Sequence, residues 1–131
     1  MAAFPLTTLA IIVAIVLYFV LGGLVGAARV KYNLPAPLPT GHVEFDKRNR
    51  VHINTLEQLA LFLPAIFLAA PVLGDRVTAI TGLVWCLGRI VYARGYYADP
   101  GKRGPGFGIT MLATLVLIVA AGYGAVATLM S

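Results

Sequence analysis

The sequence predicts an all-α integral membrane four-helix bundle, folded as one domain over residues 1–131. Three observations predict it. The first is composition: 60% of the residues are hydrophobic and 11% are charged. Soluble domains carry about 45–50% apolar and about 25% charged residues, and the mean hydropathy here is +0.88. The second is a set of uncharged apolar windows. About 20 such residues at a 1.5 Å rise cross the hydrocarbon of a bilayer. The third is the placement of charge, which is confined almost wholly to two of the expected loops. A disordered chain and a disulfide scaffold are excluded, since Cys86 is the only cysteine. The net charge of +5 would suggest nucleic acid in a soluble protein. Here basic loops at a membrane surface account for it, and no nucleic-acid partner is expected.

Helix 1 is expected over roughly residues 4–31, because Met1 to Ala28 contains no charged side chain. It lacks the basic start of a secretory signal and exceeds the usual apolar core of one. Asn33 to Thr40 holds Pro35, Pro37 and Pro39 and reads as an extended loop. Helix 2 is expected over roughly 46–71, with Pro64 kinking it, which membrane helices tolerate. Pro71 and Gly74 mark a turn, and helix 3 follows over roughly 76–97. Asp99-Pro100-Gly101 and Gly104-Pro105-Gly106 separate it from helix 4, at roughly 105–130. Gly22, Gly23 and Gly26 in helix 1, and Gly122 and Gly124 in helix 4, read as close packing between helices.

Nine of the 10 basic residues lie at or near loops 1–2 and 3–4: Arg29, Lys31, Lys47, Arg48, Arg50, Arg89, Arg94, Lys102 and Arg103. Only Arg76 lies at the other end. By the positive-inside rule these loops are cytoplasmic and the termini periplasmic or luminal. A bacterial inner membrane and an endoplasmic reticulum look alike on these counts. The short termini lean toward the bacterial one.

Helix 2 opens with polar residues that an apolar span does not require. Arg50, Asn54 and Glu57 fall within about 60° of one face. Arg89, Tyr92 and Tyr96 share a face of helix 3, spaced by three and four. The short turn makes the two helices antiparallel neighbours. Glu57 and Arg89 then stand roughly 25 and 22 Å from Gly74, at matching heights. A buried unpaired carboxylate or guanidinium costs several kcal/mol. One reading is therefore a Glu57–Arg89 pair that locks the bundle. The other is a mostly cationic pocket for a zwitterionic or anionic small ligand. Arginine binds carboxylates bidentately, Glu57 takes an ammonium group, and Asn54 and the tyrosines give directional hydrogen bonds. His52 points about 160° away from Asn54, which leaves it open between a ligand contact, another subunit and the surface. His42 reads as solvated, and Cys86 as a packed or lipid-facing thiol. No metal-ligand cluster is visible in the sequence.

The run Glu44-Phe45-Asp46-Lys47-Arg48-Asn49-Arg50-Val51-His52-Ile53-Asn54-Thr55-Leu56-Glu57 resembles the helix-2 signature of the MAPEG family, the membrane-associated proteins in eicosanoid and glutathione metabolism. Arg89-x-x-Tyr92-x-x-Gly95-Tyr96 is similar to the helix-3 end of the branch holding leukotriene-C synthase and the smaller microsomal glutathione transferases. The resemblance implies a homotrimer with glutathione sites between neighbouring subunits. It implies that Arg29, Arg50, His52, Asn54, Glu57, Arg89, Tyr92 and Tyr96 hold glutathione, and that Arg103 activates the thiol. Four departures stand out. His52 stands where the synthase has glutamine, Gln58 replaces a tyrosine, Val30 replaces a second arginine, and the Asp99-Pro100-Gly101 segment before Arg103 differs from the synthase loop.

The implied activity is glutathione transfer to a lipophilic electrophile, with peroxidase action on lipid hydroperoxides as a related use of the same thiolate. Glutathione is the co-substrate, no metal is expected, and membrane lipid surrounds the chain. The alternative is a non-catalytic glutathione- or lipid-binding protein of the same fold. A small proton-coupled transporter fits less well, since helix 1 carries no acid.

Overall fold

The computed structural model describes residues Met1–Ser131. Four long helices run α1 Pro5–Lys31, α2 Val43–Leu73, α3 Asp75–Ala98 and α4 Gly104–Met130, with a short 3-10 turn at Pro100–Arg103 before α4. All four are long and apolar enough to span a membrane. The expected spans are therefore present, with shifted ends.

α2 starts three residues earlier than the sequence suggested. The cause is His42, whose Nδ1 accepts a hydrogen bond from the Glu44 amide at 3.1 Å, while its ring stacks on Tyr32 at 3.6 Å. The residue read as merely solvated is thus the N-cap of the helix. α2 also passes through both Pro64 and Pro71 and ends at Leu73. Each proline removes its own N–H from the ladder and sets its ring against the carbonyl four residues back, a cost that membrane helices tolerate. The break comes instead at Gly74, whose φ of +82 suits a residue without a Cβ. One residue therefore joins α2 to α3.

α2 and α3 pack on each other and on both remaining helices, whereas α1 and α4 flank them without substantial mutual contact. The main core combines large rings with small residues: Phe62 stacks on Trp85 at 4.2 Å, surrounded by Ala14, Ala65, Ala69, Ala113, Cys86 and Leu117. Small side chains let helix backbones approach, which is how membrane helices gain packing energy when burial from water contributes little. Buried threonines fit the apolar interior by back-bonding one turn upstream, as Thr110 does to Gly106 at 2.9 Å and Thr114 to Thr110 at 3.0 Å.

At one end, Asp75 at the start of α3 accepts hydrogen bonds from the Leu6 and Thr7 amides at 3.0 and 2.8 Å. A carboxylate from one helix thus caps the free N–H groups of another. At the opposite end, Lys47 donates to the Tyr97 carbonyl at 3.2 Å, and Arg48 to the Leu24 carbonyl at 3.2 Å. Many leucine, isoleucine, valine and phenylalanine side chains face outward, including Phe19, Leu68, Leu112 and Val119. Such a surface requires a membrane or further subunits around it.

Candidate functional site

A cavity of about 810 Å³ opens at the Arg- and Lys-rich end. α2 supplies Arg50, Asn54, Glu57, Gln58 and Leu61, a stripe spaced by three and four. α3 supplies Tyr92 and Tyr96, the short turn supplies Arg103, and α4 supplies Phe107. Six of the residues singled out from the sequence therefore meet here: Arg50, Asn54, Glu57, Tyr92, Tyr96 and Arg103. Gln58, seen in the sequence only as a departure, also lines the wall, as do Leu61 and Phe107. Spacing had the signal for Gln58 and Leu61, which stand four and seven residues beyond Asn54.

Arg50 and Glu57 pair at 3.7 Å with about half of each side chain exposed, at 50% and 56%. They form the rim. Asn54 lies deeper at 8% exposure and Tyr92 at 2%. The Tyr92 and Tyr96 rings are tilted at 31° with centroids 5.8 Å apart.

The Glu57–Arg89 pair considered from the sequence does not form. Glu57 faces Arg50 instead, and Arg89 is completely buried and does not line the cavity. Its Nη2 donates to Asn54 Oδ1 at 2.7 Å and to Thr55 Oγ1 at 3.0 Å. Its guanidinium lies 4.2 Å from the centre of the Tyr92 ring, a cation–π distance. The physical reason is helical phase. Glu57 is about 60° around α2 from Asn54, and that rotation carries it from the α3 seam to the rim.

Arg103 reaches the cavity through the 3-10 turn. Asp99 caps that turn by accepting from the Gly101 amide at 3.0 Å, and Arg103 Nη1 donates to the Pro100 carbonyl at 3.3 Å. Two glycines set the height of the turn. A Cβ on Gly95 would stand 2.6 Å from the Lys102 carbonyl oxygen, and one on Gly106 would collide with the Tyr92 backbone.

Arg29 and His52 are not at this cavity. Arg29 donates to the Leu38 carbonyl at 2.8 Å and lies over the Phe45 ring at 4.7 Å. His52 stacks on Tyr18 of α1 at 4.5 Å and fits beneath Gly22. Both occupy the α1 side of the chain.

The fold and site together define a multi-pass membrane protein with a cation-rimmed polar cavity set into one end of an apolar bundle. The sequence signature of the MAPEG family matches residues 7–123, and the chain belongs to that family. It is 47% identical over 108 residues to an uncharacterized Synechocystis protein, covering 82% of this chain and 79% of that one. It is 35% identical over 100 residues to human microsomal glutathione S-transferase 2, covering 75% and 68% of the two chains. To bovine leukotriene C4 synthase it is 31% identical over 77 residues, covering 59% and 51%.

Proposed function

We propose that this protein is a membrane glutathione transferase that activates the glutathione thiol for attack on lipophilic electrophiles. One observation carries the reading. Arg103, from a separate element, arrives in the same cavity as Arg50, Asn54, Glu57, Tyr92 and Tyr96. Such a set suits a peptide that carries two carboxylates, an ammonium and a thiol. Arg50 matches a carboxylate, Glu57 matches the ammonium, and the tyrosines and Asn54 fix orientation.

A free thiol of this type has a pKa of about 8.5, so only a few per cent is ionised at neutral pH. A nearby cation favours the thiolate. Arg103 performs this role by its charge, because an arginine stays protonated and cannot act as a base. The thiol proton is released to water, the thiolate sulfur forms a bond to the electrophilic carbon, and the leaving group departs with the bonding pair. Leu61 and Phe107 provide the apolar side of the cavity from which a lipid-soluble partner enters.

The assembly proposed is a homotrimer. It accounts for Arg29 and His52, which lie on the α1 side and would complete the site of a neighbouring copy. The basic end is proposed as cytoplasmic, in a bacterial inner membrane. The alternative, binding without catalysis, gives the same cavity without thiol activation.

The deciding experiment is ultraviolet difference absorbance at the thiolate band, with detergent-purified protein titrated with glutathione at neutral pH. A saturable signal supports binding with activation, and turnover of a chloronitrobenzene follows. Binding by calorimetry without a thiolate signal favours the non-catalytic reading. No binding at all refutes both.

A further inference from the structure

Arg89 is the most unusual charge in this chain. It is fully buried within the membrane-spanning bundle, and neither ion pair of the chain includes it. The nearest acid along the helix-2 stripe, Glu57, is paired with Arg50 at the rim. The Nε and Nη1 groups of Arg89 have no hydrogen-bond partner, nor does the buried Oε1 of Gln58, one turn beyond Asn54. An uncompensated buried cation is costly, and a purely structural tie between α2 and α3 needs no charge.

The chemistry of the Arg89–Asn54 bond fixes the direction of the Asn54 amide. A guanidinium only donates, so the Asn54 atom 2.7 Å from Nη2 is the carbonyl oxygen. The ambiguity between the two ends of an amide is thereby removed. The NH2 end is left for the cavity. Thr55 cannot reverse the pattern, because its hydroxyl proton goes to the Val51 carbonyl at 2.7 Å while its oxygen accepts from Arg89. Behind Tyr92, the same guanidinium stands against the ring face.

We infer that Arg89 is a positioning residue: it locks Asn54 with its carbonyl inward, so that the inner wall of the cavity offers hydrogen-bond donors to an anionic group of the ligand. Arg89 touches no ligand itself. This rests on the reading of glutathione as ligand, whose anionic groups are its carboxylates and its thiolate.

The test uses full-length protein in detergent, with calorimetric titration and thermal midpoints for each variant. Arg89→Met should weaken glutathione binding about tenfold, the scale of one hydrogen bond to a charged group. Arg89→Lys should recover part of that loss. The double variant Arg89→Met with Asn54→Ala should bind no more weakly than Asn54→Ala alone, since both act through one donor. Asn54→Asp separates position from stability. Its carboxylate pairs with Arg89, so the midpoint holds or rises, while affinity falls about tenfold or more.

S-methylglutathione identifies the anion. An equal loss for it assigns the donor wall to a carboxylate, and a loss for glutathione alone assigns it to the thiolate. Multiplying losses in the double variant, an Asn54→Asp protein that binds like wild type, or one that loses stability and affinity together would each overturn the role. If Arg89→Met does not fold, Asn54→Asp decides. Wild-type protein that binds no glutathione overturns the functional reading and this inference together. Wild-type binding with an unmoved Arg89→Met overturns the positioning role alone.

Discussion

Gly106 of α4 lies directly against the backbone of Tyr92 in α3, so closely that no side chain fits between them. Gly88 repeats the contact one turn away, where a Cβ would stand 2.9 Å from the Thr110 amide nitrogen. This crossing sets how far Arg103 and Phe107 stand from the two tyrosines. Gly106→Ala should therefore push α4 away from α3. Overpacking of this kind costs about 1–3 kcal/mol. The expected outcome is a lower thermal midpoint in detergent together with weakened turnover. Unchanged turnover would show that the site tolerates the displacement.

Arg103 and Glu57 should separate in kinetics. Arg103→Ala removes the cation proposed to favour the thiolate. The expectation is a fall of about 10²-fold in kcat, the scale of losing one electrostatic stabiliser, with glutathione affinity nearly kept. The thiolate absorbance should vanish in parallel. An equal loss of affinity and turnover would remove Arg103 from thiol activation.

Glu57→Ala should act on binding. It removes the partner proposed for the ligand ammonium and frees Arg50 at the rim. Glutathione affinity should drop about tenfold, while kcat at saturation changes little. A glutathione analogue lacking the amino group should bind wild type and variant alike. Discrimination that persists in the variant would assign the ammonium to another residue.

Co-expression tests the composite site. Arg29 and Arg103 lie on different sides of one chain. In a trimer whose sites form between copies, mixing Arg29→Ala and Arg103→Ala chains creates some sites with both residues intact. Random mixing should restore about a quarter of wild-type activity from two impaired variants. No restoration would place each site within one chain or leave Arg29 outside it.

Asp75 lies at the far end, where α3 caps the first turn of α1. Asp75→Ala leaves the Leu6 and Thr7 amides without that acceptor. The thermal midpoint should fall while glutathione affinity stays as in wild type. A parallel loss of affinity would mean that docking of α1 reaches the cavity.

Composition and uncharged windows determined four spans and their order, because crossing a bilayer requires about 20 apolar residues whatever the packing partners are. Helical spacing likewise put Arg50, Asn54 and Glu57 on one stripe, and Tyr92 and Tyr96 on another. The sequence did not determine which charge is at the rim and which is behind the wall. Glu57 and Arg89 stand at similar heights, and periodicity fixes a residue's angle only relative to its own helix. The rotation and spacing of α2 against α3 decide the rest, and these come from ring stacking and small-residue contacts among residues distant in sequence, such as Phe62 with Trp85. The position of Arg103 was equally out of reach. It depends on a capped turn and on two glycine approaches, Gly95 of α3 against that turn and Gly106 of α4 against α3, and contacts of that kind exist only once the helices are packed.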